Sequence, residues 1–142
     1  MTPNLALPIG LELPELVIDV TTTVIVAGAI ATRDFMPVHH DRSYAATQGA
    51  PDIFMNILSS TAYTSRFLTD WAGPNAMVRR VAIRLGVPVF PGDTLTFSGT
   101  VTGTSRSDAE YRVDIELRAT TALGDHLTGT ATLTLPMGDV SG

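Results

Sequence analysis

Apolar and polar residues alternate with period two along the second half of the chain. Tyr111, Val113, Ile115, Leu117 and Ala119 share one side, against Arg112, Asp114, Glu116 and Arg118 on the other. Leu95, Phe97, Gly99 and Val101 make a similar run before them, and Leu127, Gly129, Ala131, Leu133 and Leu135 make one after them, opposed by four threonines. Met77, Arg79, Val81, Ile83 and Leu85 form a further set opposite Val78, Arg80, Ala82 and Arg84. Period two sends successive side chains to opposite faces of a pleat, so each run predicts a half-buried strand. Pro91-Gly92-Asp93, Ser105-Arg106-Ser107-Asp108 and Leu123-Gly124-Asp125 supply turns between them, which predicts a mainly antiparallel sheet.

The first half reads differently. From Asp52 to Trp71 there is no proline, and Phe54, Ile57, Leu58, Ala62, Ser65 and Leu68 recur near three-or-four spacing, which predicts one long helix stopped by Gly73-Pro74. Its small members Ser59, Ser60, Ala62 and Ser65 would let a sheet come close. Leu16 to Val20 is a short β-prone run. Thr21-Thr22-Thr23 offers hydroxyl caps to a short apolar segment ending near Asp34, whose β-branched content leaves helix and strand both open. Residues 1–14, with Pro3, Pro8, Gly10 and Pro14, read as an extended leader lying over a neighbour. One long helix followed by a run of strands gives an α+β class with helix on sheet, and residues 1–142 read as a single domain without repeat or linker.

Composition narrows the function. The 142 residues include no cysteine, which excludes a disulfide framework, a thiolate nucleophile and cysteine-ligated metal. A formal net charge of -5 and a pI near 4.9 argue against binding a phosphate backbone, so no nucleic-acid partner is expected. All nine basic residues are arginine, which removes lysine Schiff-base chemistry. Glu12, Glu15 and Asp19 precede the first basic residue, Arg33, unlike the positive start of a secretory signal, so the expected location is cytoplasmic. The longest apolar stretch, Thr23 to Ala31, falls far short of the roughly 20 residues a membrane helix needs.

Candidate chemistry concentrates in Arg33-Asp34-Phe35-Met36-Pro37-Val38-His39-His40-Asp41. Pro37 locks its own φ and pushes Met36 toward an extended conformation, so Asp34 and His39 sit on either side of a stiff corner. A carboxylate and an imidazole so placed can share and activate a water, although a helix-ending turn with a capping Asp and a solvated His would carry the same letters. His39-His40-Asp41 does not suggest a metal, because adjacent histidines project differently and no third ligand stands at helical spacing. His126, beside Asp125 in a turn, reads as a surface or interface residue. Arg79, Arg80 and Arg84 fit either phosphate contacts or a solvated strand face.

The run Asp34-Phe35-Met36-Pro37-Val38-His39 resembles the Asp-x-Asn-Pro-Leu-His signature of the MaoC-like, (R)-specific enoyl-CoA hydratases, and Pro88-Val89-Phe90-Pro91-Gly92-Asp93-Thr94-Leu95 resembles their second common segment. Ala31 to Phe35, His39 to Arg42, Asp52-Ile53-Phe54, Asp70 to Pro74 and Leu123 to His126 are similar to the steroid side-chain branch of that family in actinobacteria, specifically its small catalytic subunits. The resemblance implies a hot-dog fold, a curved antiparallel sheet wrapped around a long central helix. It also implies hydration of a 2-enoyl-CoA in steroid side-chain degradation, without a cofactor other than the CoA thioester substrate. Asp34 and His39 would be catalytic. A second MaoC-like hydratase subunit would complete a heterodimer or heterotetramer.

The family's His-Gly aligns with Met55-Asn56, which makes the Asn56 backbone N–H the candidate donor to the substrate's oxyanion, or leaves Asn56 as a helix cap only. Met36, where the signature carries Asn, together with Phe54 and Met55, would flank an apolar acyl group, or Phe54 and Met55 are simply core. Two other readings share the fold: a thioesterase, which sends the water to the carbonyl carbon, and a non-catalytic partner subunit.

Overall fold

Thr21 ends the first strand region and caps the apolar segment beyond it: its hydroxyl accepts from the Val24 N–H, and that segment resolves as a helix. In the computed structural model, which describes residues 7–137, the order is β1 (Leu16–Asp19), α1 (Thr22–Ala31), a 3-10 turn (Pro37–His39), α2 (Arg42–Thr47), α3 (Ile57–Ala72), β2 (Met77–Leu85), β3 (Thr94–Arg106), β4 (Glu110–Thr121) and β5 (Gly124–Pro136). The five strands lie in the order β1-β3-β4-β5-β2, and every pairing is antiparallel.

The alternating sets face the core as their period requires. Leu95, Phe97, Val101, Tyr111, Val113, Ile115, Leu117, Ala119, Leu127, Ala131, Leu133 and Leu135 are all buried. Cross-strand partners such as Val101 with Ile115 and Val113 with Leu133 bring these side chains onto one face. Helix α3 lays Ser60, Thr64, Phe67 and Leu68 against that face, with the Phe67 ring stacked on Phe97 at 5.8 Å. This is the helix-in-sheet arrangement of the hot-dog fold that the resemblance implied.

Four details depart from the sequence reading. Helix α3 starts at Ile57, five residues after the expected Asp52, because Asn56 adopts an extended backbone and its side chain accepts from the Ser59 N–H. Residues Ile53 to Met55 lie outside any helix or strand instead, with the Phe54 N–H donating to the Val38 carbonyl and the Met55 N–H to that of Val89. Of the small helix residues, Ser59 and Ser60 are buried whereas Ala62 faces outward. A register shift between Val78 and Arg80 inserts Arg79 as a bulge. It puts Val78, opposite Leu133, on the same face as Val81 and Ile83, and leaves Met77 exposed on the other.

The part of the leader from residue 7 onward runs along β3. The Leu13 N–H donates to the Gly99 carbonyl and the Val101 N–H to that of Leu11, and the Leu7 N–H reaches the Tyr111 hydroxyl at 2.8 Å. Residues 1–6 of that expected leader lie outside the described residues. Two glycines set distances that matter for the site. A β-carbon at Gly28 would overlap the Ser59 hydroxyl, so glycine lets α1 approach the start of α3; one at Gly86 would overlap the Asp125 carbonyl oxygen, so glycine lets the exit from β2 approach β5.

Candidate active site

Helix α1 ends in a tight reversal. Arg33 takes a left-handed backbone with φ 56°, its N–H donates to the Ile30 carbonyl, and the Asp34 N–H donates to that of Ala29. The chain leaves this cap with Asp34 directed toward the first turn of α3. One carboxylate oxygen, Oδ1, accepts from the Met36 N–H at 3.3 Å; the other, Oδ2, accepts from the Asn56 amide at 3.0 Å. The Asn56 hydrogen bond is the main reason the Asp34 carboxyl titrates below its usual range. Desolvation opposes it, and the Met36 N–H and, when the ring is protonated, the charge of His39 add to it.

Pro37 opens the 3-10 turn that carries His39, and the turn leaves that residue only 7% exposed. Its Nδ1 lies 2.7 Å from the Phe54 carbonyl oxygen, and the Phe54 ring packs against it edge to face at 5.0 Å. A carbonyl only accepts, so Nδ1 carries a proton and the neutral ring presents a bare Nε2. That atom faces Asp34 Oδ2 at 3.4 Å. The ring and the carboxylate then offer two acceptors side by side, a pair suited to holding both protons of one water.

Asp34, His39, Phe54, Met55, Asn56 and Ile57 form one wall of a cavity of about 330 Å³; Leu85, Gly86, Val87, Pro88 and His126 form the other. The lining is mostly apolar with a few polar atoms converging, as a small-molecule site requires. Asn56 has backbone angles φ -80° and ψ 160°, open to any L-residue, so glycine is not needed there. No acceptor for its backbone N–H is found among the described residues. It stands at the positive end of α3, where developing negative charge is stabilised.

The structure brings together five of the six residues singled out in the sequence: Asp34, His39, Asn56, Phe54 and Met55. Met36 is set apart. Its side chain is 48% exposed and does not line the cavity, although its backbone N–H holds Asp34. His126 corrects the surface assignment, being 3% exposed and part of the cavity wall. Its Nδ1 donates to the Val87 carbonyl and its Nε2 accepts from the Ser60 hydroxyl, each at 2.7 Å, and burial holds its pKa below the ordinary imidazole value. Thr32, whose hydroxyl donates to the Gly28 carbonyl and accepts from the Asn56 amide at 2.8 Å, also escaped the sequence reading. Of the three arginines weighed for phosphate contact, Arg79 is tied to Glu110 and Thr134, while Arg80 and Arg84 are exposed.

A family model described as MaoC like domain matches residues 12–122. The protein named 3-oxo-4,17-pregnadiene-20-carboxyl-CoA hydratase beta subunit, from Mycobacterium tuberculosis, is 45% identical over 127 residues, which are 89% of this chain and 95% of that one. Among solved structures, a chain of the ChsH1-ChsH2 complex from Mycobacterium tuberculosis superposes with a TM-score of 0.84 at 45% identity, covering 92% of this chain and 99% of that one. The (R)-hydratase from A. caviae involved in PHA biosynthesis gives a TM-score of 0.81 at 26% identity, over 92% of this chain and 98% of that one.

Proposed function

Because the chain belongs to the MaoC-like domain family, we propose that it is the catalytic subunit of a steroid side-chain enoyl-CoA hydratase, acting with a second MaoC-like hydratase subunit. The observation that carries this reading is the meeting of Asp34 Oδ2 and His39 Nε2 at 3.4 Å on the wall of an apolar cavity. The relative named as a CoA hydratase beta subunit, and its kinship with a two-component complex, support the substrate class and the partner.

A water held between the two acceptors loses a proton to His39 Nε2 as its oxygen adds to C3 of the enoyl thioester. The alkene electrons move onto the thioester oxygen, giving an enolate that the Asn56 backbone N–H stabilises at the start of α3. The imidazolium, held beside ionised Asp34, returns its proton to C2. One water is consumed, the dyad is restored, and no electron leaves the system, so the reaction requires no redox cofactor. Phe54 and Met55 flank the acyl group. Among the described residues no helix is long and apolar enough to cross a membrane, and the use of CoA thioesters supports a cytoplasmic location.

The test supplies a steroid side-chain enoyl-CoA to the chain co-expressed with its partner and follows enoyl absorbance and free thiol together. Loss of absorbance without thiol is expected; thiol release without hydration would make the protein a thioesterase. Asp34→Asn and His39→Ala should each lower kcat by about 10²–10⁴-fold with assembly intact. Full activity in both would reduce the chain to a scaffold.

A further inference from the structure

We propose that the Asn56 side chain is a positioning residue that fixes Asp34, in one orientation and ionised, as the partner of His39. The kinetic part of this inference rests on the hydratase reading above; the part that concerns the carboxylate does not.

Capping α3 needs only an acceptor, and Asn56 Oδ1 provides it to the Ser59 N–H at 3.0 Å. Serine, threonine or aspartate would cap as well. The other end of the amide is spent on something else. Both Nδ2 protons are directed 22 to 24 residues back along the chain, to Thr32 Oγ1 at 2.8 Å and to Asp34 Oδ2 at 3.0 Å. Thr32 is itself oriented, because its hydroxyl proton goes to the Gly28 carbonyl and turns a lone pair toward the amide. The amide cannot flip, since its oxygen would then face a carboxylate and its NH₂ group a backbone N–H.

Asn56 is 2% exposed, so no water competes freely for these bonds. The oxygen of Asp34 that receives the amide is also the one that faces His39 Nε2, while the Met36 N–H holds the other. With both oxygens engaged, the carboxylate has no freedom to rotate, and a hydrogen bond to the charged form keeps it charged.

Asn56→Ser separates the two jobs, because it retains a capping oxygen and removes the donor. In the complex with its partner, we expect this variant to fold and assemble but to melt a few degrees below the wild type, because Asp34 and Thr32 lose a buried donor. Its kcat should fall about tenfold to a hundredfold with KM little changed, the loss set by a hydrogen bond to a charged group. The carbon-13 NMR titration of the Asp34 carboxyl should move up, because the hydrogen bond that favours its charged form is gone. Asn56→Asp also keeps the cap but sets a second carboxyl against Asp34; two carboxyls so close share a proton, so this titration should rise further.

A kcat within twofold of wild type in Asn56→Ser, or an unmoved Asp34 titration in both variants, would overturn the proposal. Were Asn56→Ser to unfold, the titration in Asn56→Asp would decide alone. A wild-type complex that hydrates no enoyl-CoA would instead defeat the hydratase reading, with the titration still deciding this one.

Discussion

At the scale of single residues, His126 and Asp34 are both held below their ordinary titration ranges, for unlike reasons. Burial disfavours the charged form of His126, whereas a hydrogen bond from Asn56 favours the charged form of Asp34. An unfolded imidazole titrates near about 6.5, and the folded one lower, so between those values the unfolded state binds the extra proton. Stability from His126 is therefore complete above about pH 6.5 and is lost as pH falls through the folded value. The contribution of Asp34 has the same sign but is complete above about pH 3.9, so its loss begins at a lower pH than that of His126. Urea denaturation at pH 8 and pH 5.5 should show the wild type losing stability over that interval, and His126→Gln losing less; equal losses would contradict the assignment. Asp34 and His39 were legible because five positions and one proline put them on a single corner. Asn56 with Asp34 and Ser60 with His126 were not, because their partners stand 22 and 66 residues away and no local pattern links them. Where the family signature carries an amide the chain has Met36, and an amide reaches Asp34 from Asn56 instead.

At the scale of elements, the strands were legible because one face is buried and a period of two leaves little choice. The end of α3 was equally plain, with Gly73 at φ 88° just past Ala72. Its start was not: Ile53 and Met55 are buried from an irregular segment, yet continue the apolar character of the helix. Asn56 immediately before Ile57 was the available signal, as a cap residue ahead of an apolar run. No letter announces the bulge at Arg79, which depends on how β2 meets β5. The exit from β2 carries the sharpest steric limit. The Gly86 N–H donates to the His126 carbonyl and the Val87 N–H to that of Asp125. The backbone cannot step away from the Asp125 carbonyl without breaking these bonds, so Gly86→Ala should cost about 1–3 kcal/mol in urea denaturation. Because Gly86 and Val87 line the cavity, turnover should fall too. An unchanged midpoint would mean that the junction of β2 with β5 yields more easily than its hydrogen bonds imply.

At the scale of the whole molecule, the cavity is not enclosed by this chain. Ile57 and Leu85 line it and remain 53% and 41% exposed, so apolar surface stands in water at its rim. A subunit that binds only the folded form raises stability by mass action. The melting temperature should therefore rise with added partner subunit and with total concentration, and native mass measurement should give a mixed assembly; a melting curve indifferent to the partner would argue against one. One further property belongs to the backbone as a whole. Among the described residues, each positive-φ position is a glycine except Arg33. A β-carbon there costs about 1–2 kcal/mol, while glycine would surrender about 0.5–1 kcal/mol of unfolded-chain entropy, so thermodynamics gives the arginine little or no advantage. What the larger residue contributes is torsional stiffness in the link preceding Asp34: the chain accepts a locally unfavourable hinge in exchange for a narrow distribution of carboxylate positions.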